Sequence, residues 1–159
     1  MSKLLVVKGD PVDGTDTHNV SGLDTTTPTP AAYTGTGDYK YKGEVKTGLS
    51  DFVTVAGTPL AVVTSGSDLR TDGKIDHQAL SGSNFTPKSP PPNKATLVFV
   101  PPTGVGPGKP NASAGSALLT VDGAKALLDG DAFDTCGITG GEKSSTVKAN
   151  GQAFVTCSA

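Results

Sequence analysis

Apolar residues in this chain gather around glycines in a pattern that recurs. Val53 and Val55 precede Gly57, with Leu60 and Ala61 after it. Leu119 and Val121 precede Gly123, with Ala126 and Leu127 after it. Val147 and Ala149 precede Gly151, with Phe154 and Val155 after it. In every case the apolar or small residues stand four and two before the glycine, and apolar character returns three and four after it. Alternation on this short scale predicts strands. The Asp122-Gly123 and Asn150-Gly151 dipeptides tolerate the positive φ of a type I′ turn, and Ala56-Gly57 is a weaker form of the same signal. The pattern predicts three tight β-hairpins, over 53–62, 119–128 and 147–156.

The segments after the hairpins recur too. Leu127-Leu128-Asp129-Gly130-Asp131 matches Val6-Val7-Lys8-Gly9-Asp10 near the N-terminus, and Thr64-Ser65-Gly66-Ser67-Asp68 is a looser relative. A loop is expected next in each case, running to His18-Asn19-Val20-Ser21-Gly22, His77-Gln78-Ala79-Leu80-Ser81-Gly82 or Cys136-Gly137-Ile138-Thr139-Gly140. Each of these begins with a potential metal ligand and ends in a hydroxyl residue and glycine. The chain therefore reads as one hairpin unit used about three times, the N-terminus supplying half a unit. Two stretches interrupt the plan and read as loop-rich insertions: about 23–48, rich in Thr, Pro, Gly and Tyr, and about 83–115, rich in Pro and Gly. Within the second, residues 95–100 read as a strand stopped by Pro101-Pro102. Flexible linkers are the competing reading of both stretches.

Composition narrows the class. With 21 glycines and 12 prolines in 159 residues, helices are hard to sustain, which leaves a single all-β domain over 1–159 with a thin core. The glycines keep to no three-residue period, so collagen is excluded. A net charge of −2 gives no electrostatic footprint for nucleic acid. No apolar run approaches the roughly 18 residues that span a bilayer, so no stable membrane insertion is expected. The apolar part of Met1–Lys8 is too short for a signal peptide and reads as a first strand, which implies synthesis in the cytoplasm without a leader.

The chain has two histidines and two cysteines, His18, His77, Cys136 and Cys157. Each falls at or near the end of a repeat-related segment. Two imidazoles and two thiolates form a donor set that tetrahedral zinc accepts, and iron fits it as well. If the hairpins pack around a common axis, their loops converge, and one ligand per loop meets at an apex. A Cys136–Cys157 disulfide, or unconnected histidines and free thiols, are the other readings of these residues. Other motifs fail. Gly104–Pro110 lacks the spacing and the succeeding helix of a phosphate loop, and no nucleophile elbow is present. The aspartates at 10, 13 and 16, and at 129, 131 and 134, do not match EF-hand spacing. No catalytic constellation stands out, and the expectation is a non-enzyme.

Taken together, Leu5-Val6-Val7-Lys8-Gly9-Asp10-Pro11 leading to His18, Leu118–Asp131 leading to Cys136, and Val147–Cys157 resemble the PAAR-repeat family of spike-tip proteins. The resemblance covers about 1–22, 49–82 and 116–159. It implies a small cone of short β-hairpins with pseudo-three-fold repeats and a metal-pinned vertex, seated on a trimeric β-helical spike at one tip per trimer. Such tips arm contractile injection systems: type VI secretion, phage-like tails and extracellular contractile particles. They sharpen the spike for piercing a target envelope, and some bear effector cargo. The resemblance carries the metal onto His18, His77, Cys136 and Cys157. The name-giving Pro-Ala-Ala-Arg quartet is degenerate here: Thr58-Pro59-Leu60-Ala61, Ala124-Lys125-Ala126-Leu127 and Gln152-Ala153-Phe154-Val155 stand in its place. The rival reading is a self-standing β-rich adhesion or carbohydrate-binding module with a Cys136–Cys157 disulfide.

Overall fold

The computed structural model describes residues 1–24, 28–70, 85–89, 97–100, 107–135 and 145–158, with only the backbone described over 17–24, 33–39, 85–89 and 97–100. These residues are all-β, with no helix among them. Three continuous apolar segments, Leu5–Val7, Leu60–Val62 and Ala126–Leu128, meet at the centre. Val6 N donates to Leu127 O, Leu127 N to Ala61 O, and Ala61 N to Val6 O, each at 3.0 Å, so the three form a closed cycle. Bridges Leu5↔Leu128, Val7↔Leu60 and Val62↔Ala126 reinforce it.

Strand alternation then sends side chains to opposite sides of this ring. Val6, Ala61 and Leu127 join one buried cluster with Val12, Tyr41, Val45, Leu69, Phe133 and Val147. The flanking Leu5, Val7, Leu60, Val62, Ala126 and Leu128 form a second cluster with Val55 and Val121. Each buried valine or leucine contributes about 2 kcal/mol by leaving water. The core is thin, as the composition implies, but it lies on both sides of a sheet-like ring.

On the side of the second cluster lie three two-stranded sheets. The first pairs β4 (Thr54–Val55) with β5 (Thr58–Pro59), and the second pairs β10 (Thr120–Val121) with β11 (Ala124–Lys125). Their turns carry positive φ at both central residues, 51° and 80° at Ala56-Gly57, and 51° and 76° at Asp122-Gly123. That is type I′ geometry, as the sequence predicts at both places. The third sheet differs from expectation. It pairs β1 (Ser2–Leu4) with β14 (Thr156–Ser158), the two ends of the described chain, and no hairpin forms at Asn150-Gly151. Asn150 N and Gly151 N instead donate to Asp10 Oδ1 at 2.8 and 2.6 Å. Glycine is needed here for closeness, since a Cβ at Gly151 would lie 2.6 Å from Val7 Cγ2.

On the other side of the ring a larger sheet is built from β2 (Pro11–Asp24), β3 (Ala31–Thr47), β6 (Gly66–Leu69), β9 (Lys109–Pro110), β12 (Ala132–Asp134) and β13 (Ser145–Val147). Its order is β6-β3-β2-β13-β12-β9. Its two ends meet at Ser67 and Gly108, which exchange backbone hydrogen bonds of 2.9 and 3.0 Å, so six strands nearly close on themselves. Two further strands, β7 (Phe85–Ser89) and β8 (Leu97–Val100), pair with β3 and β2 respectively.

This corrects the reading of 23–48 as a loop-rich insertion. β2 and β3 pair from Pro11↔Glu44 to Asp24↔Ala31, a long antiparallel ladder. Period-two alternation explains it: Tyr41, Gly43 and Val45 are buried while Lys40, Lys42, Glu44 and Lys46 face outward to varying degrees. Threonine and tyrosine, counted as loop composition, favour strands. The stretch 83–115 likewise holds strands, β8 falling inside the predicted 95–100, and its Ala114 is buried in the core.

Candidate functional site

The end of the molecule bearing the three small sheets is built by matched local chemistry. Three apolar segments lead into it: Phe52-Val53-Thr54-Val55, Leu118-Leu119-Thr120-Val121 and Phe154-Val155-Thr156-Cys157. Each is preceded, two residues earlier, by a side chain that caps it. Ser50 Oγ accepts from Val53 N at 3.0 Å. Ser116 Oγ accepts from Leu118 N and Leu119 N, both at 3.1 Å. Gln152 Oε1 accepts from Phe154 N and Val155 N at 2.9 and 2.7 Å. The next carbonyl then takes a ring amide: Leu60 N donates to Val53 O at 3.0 Å, Ala126 N to Leu119 O at 2.9 Å, and Leu5 N to Val155 O at 3.1 Å. Val53, Leu119 and Val155 turn inward against the second cluster. Their predecessors Phe52, Leu118 and Phe154 are 69%, 73% and 67% exposed.

After the ring, each segment turns in the same manner. Asp10 Oδ2 accepts from Val7 N at 2.8 Å, Ser65 Oγ from Val62 N at 2.9 Å, and Asp131 Oδ2 from Leu128 N at 2.8 Å. These side chains satisfy amides that the turn leaves without strand partners. The Asp10 and Asp131 carboxylates are therefore structural acceptors.

Beyond the first cluster, the interior of the large sheet becomes polar. Asp16, Ser67, Thr135 and Ser145 are buried there. Thr135 Oγ1 donates to Asp16 Oδ1 and lies 3.0 Å from Ser145 Oγ, while Tyr41 OH lies 3.0 Å from Ser67 Oγ. Hydroxyls dominate this layer among the described residues.

His18 belongs to β2, opposite Gly37, and the ladder continues past it to Asp24↔Ala31. It is thus inside a strand, where a ligand-bearing loop was expected. Cys157 lies on β14 opposite Lys3, against the second cluster. It is a free thiol, half-buried, with Sγ 3.3 Å from Ser116 Oγ. It takes the setting that Val55 and Val121 take in their strands. Ring and first cluster separate it from β2's far portion, and β2 carries His18 roughly 23 Å beyond Pro11 at the usual strand rise. His18 therefore stands on the large sheet and Cys157 on one of the small ones. His77 and Cys136 lie outside the described residues. Among the described residues no group of three or more His, Cys, Asp or Glu is placed to hold a metal.

Sequence reasoning missed the exposed triplet Phe52, Leu118 and Phe154. The signal was present as Ser50-Asp51-Phe52-Val53-Thr54-Val55, Ser116-Ala117-Leu118-Leu119-Thr120-Val121 and Gln152-Ala153-Phe154-Val155-Thr156-Cys157, but aligning the third stretch on Gly151 placed it out of phase. Comparison with protein-family models, curated proteins and solved structures finds no match for this chain.

Proposed function

We propose that this chain is a non-enzymatic structural protein, the PAAR-like tip of a contractile injection spike, seated one copy per trimer on a β-helical partner. The observation that carries this reading is the cycle of hydrogen bonds through Val6, Leu127 and Ala61. A single chain that places three like segments in a cycle acquires the near-symmetry needed to meet three identical subunits. The three two-stranded sheets on one side of the ring support the same reading, as a base of pseudo-three-fold repeats. Their short outer edges offer backbone groups that a partner's sheet can continue.

On the other side, the nearly closed sheet forms the body that the sheath drives forward. Closure leaves few free edges and ties distant parts of the chain together, which suits a part that transmits force. A vertex metal, zinc or iron, falls to His18, His77 and Cys136 in this reading, with Cys157 left to the base core. When bound, it supplies a structural cross-link between segments. The free thiol of Cys157 gives no support to the disulfide-bonded adhesion module.

The test is co-expression with a trimeric β-helical spike protein from a contractile injection system, then gel filtration and mass determination. One copy of the chain per trimer is the expected result. A chain that elutes alone from every such mixture sinks the reading.

A further inference from the structure

We infer that Phe52, Leu118 and Phe154 are the anchors of this base, each inserting into an apolar socket presented once by every subunit of a homotrimeric partner. This rests on the spike-tip reading and names the side chains that make its contact.

Three observations carry it. First, these are large apolar side chains left 69%, 73% and 67% exposed on a chain that is otherwise poor in them. Met1, at the chain end, is the other large apolar residue exposed to this degree among those described. Second, all three occupy one backbone setting: a capping residue two positions before, an inward-facing aliphatic residue after, and a carbonyl bonded to the ring. A chance scatter of exposed apolar residues would not repeat that setting in all three segments. Third, the backbone on both sides of each anchor is fixed by hydrogen bonds, so little ordering remains to be done on binding. Rigid, protruding apolar side chains of this kind are what interface hot spots require.

The cycle dictates the occupant. Three anchors in equivalent settings match a partner that offers the same socket three times, which a homotrimer does by its symmetry. A partner with a single site would use one anchor and leave two exposed.

The experiment compares wild type, Phe52→Ala, Leu118→Ala, Phe154→Ala, the triple variant and Leu118→Phe in binding to the co-expressed trimeric spike protein. Melting temperatures are recorded for each. Each single alanine variant is expected to weaken binding by about tenfold, as truncation of a hot-spot side chain does. The triple variant is expected to lose binding with its melting temperature nearly unchanged, while Leu118→Phe, which keeps an apolar anchor, binds as wild type does. If wild type binds the trimer and the triple variant binds equally well, the anchor assignment is overturned and the spike-tip reading stands. If wild type does not bind, the reading itself is lost. A wild-type chain that sediments alone as a dimer, with the triple variant monomeric, would give the face to a second copy and overturn the assignment.

Discussion

Asp10 and Gly151 stand 141 residues apart in sequence, yet Gly151 N donates to Asp10 Oδ1 at 2.6 Å. The same carboxylate takes Asn150 N at 2.8 Å and, through its other oxygen, Val7 N at 2.8 Å. One buried side chain thus holds the turn after the first ring segment against the approach to the last strand.

Removing that carboxylate takes the acceptor from three amides, of which Val7 N lies in the interior. Asp10→Ala is expected to destabilise by about 2–3 kcal/mol, since a buried donor left unsatisfied costs roughly 1–3 kcal/mol and the two part-buried amides add less. Asp10→Asn, which keeps one acceptor oxygen, should lose less. Urea denaturation measures both, and a loss below about 1 kcal/mol for Asp10→Ala would refute the role given to it.

The glycine on the other side of this contact is a matter of space. A Cβ at Gly151 meets Val7 Cγ2 at 2.6 Å, whereas one at Gly123 meets nothing within 4 Å but sits at φ 76°. Gly151→Ala is expected to cost about 1–3 kcal/mol through overpacking, and Gly123→Ala about 1 kcal/mol through backbone strain. Gly123→Asn, which tolerates positive φ, should cost less than Gly123→Ala, whereas no such rescue is expected at Gly151. Equal melting temperatures for Gly151→Ala and wild type would contradict the crowding.

Cys157 shares its setting with Val55 and Val121, so Cys157→Val should be neutral or slightly stabilising. In the proposed metal arrangement the same variant keeps its zinc or iron, while His18→Ala and Cys136→Ala lose it. Elemental analysis of purified protein decides this. Metal lost from Cys157→Val would return the residue to the ligand set.

Thr135 joins Asp16 to Ser145 inside the large sheet. Thr135→Val preserves shape and removes the hydroxyl, taking one hydrogen bond from a buried carboxylate. A loss of about 2–3 kcal/mol is expected, the scale for hydrogen bonds to charged groups. Thr135→Ser should retain most of that bond, and an equal loss in both variants would point to packing instead.

Local signals were legible where turn chemistry and alternation agreed. Asp122-Gly123 and Ala56-Gly57 mark the hairpins because both places need positive φ, and Leu97–Val100 reads as a strand on its apolar run. Asn150-Gly151 misled because the same dipeptide that suits a turn also suits close approach, and only the position of Asp10 and Val7 decides between them. The β2–β3 ladder was hidden by composition, although Tyr39–Lys46 carries its alternation plainly. Cys157 attracts attention in the sequence as a candidate ligand because cysteine invites chemistry. Its place in the fold follows from phase, once Thr156-Cys157 is set beside Thr54-Val55 and Thr120-Val121. The exposed triplet was out of reach while the third segment was misaligned.

The pairing of Leu4 with Thr156 has a temporal consequence. Two of the small sheets are local hairpins that a growing chain can form as soon as their few residues are made. The third has to wait for residues 156–158, and Ser2–Leu4 goes without its mate while everything between them is made. Non-local pairings of this sort slow folding, because loop closure is costly before any contact rewards it. The clasp that completes the circle is therefore the last of the three small sheets to form, and the base becomes whole only with it.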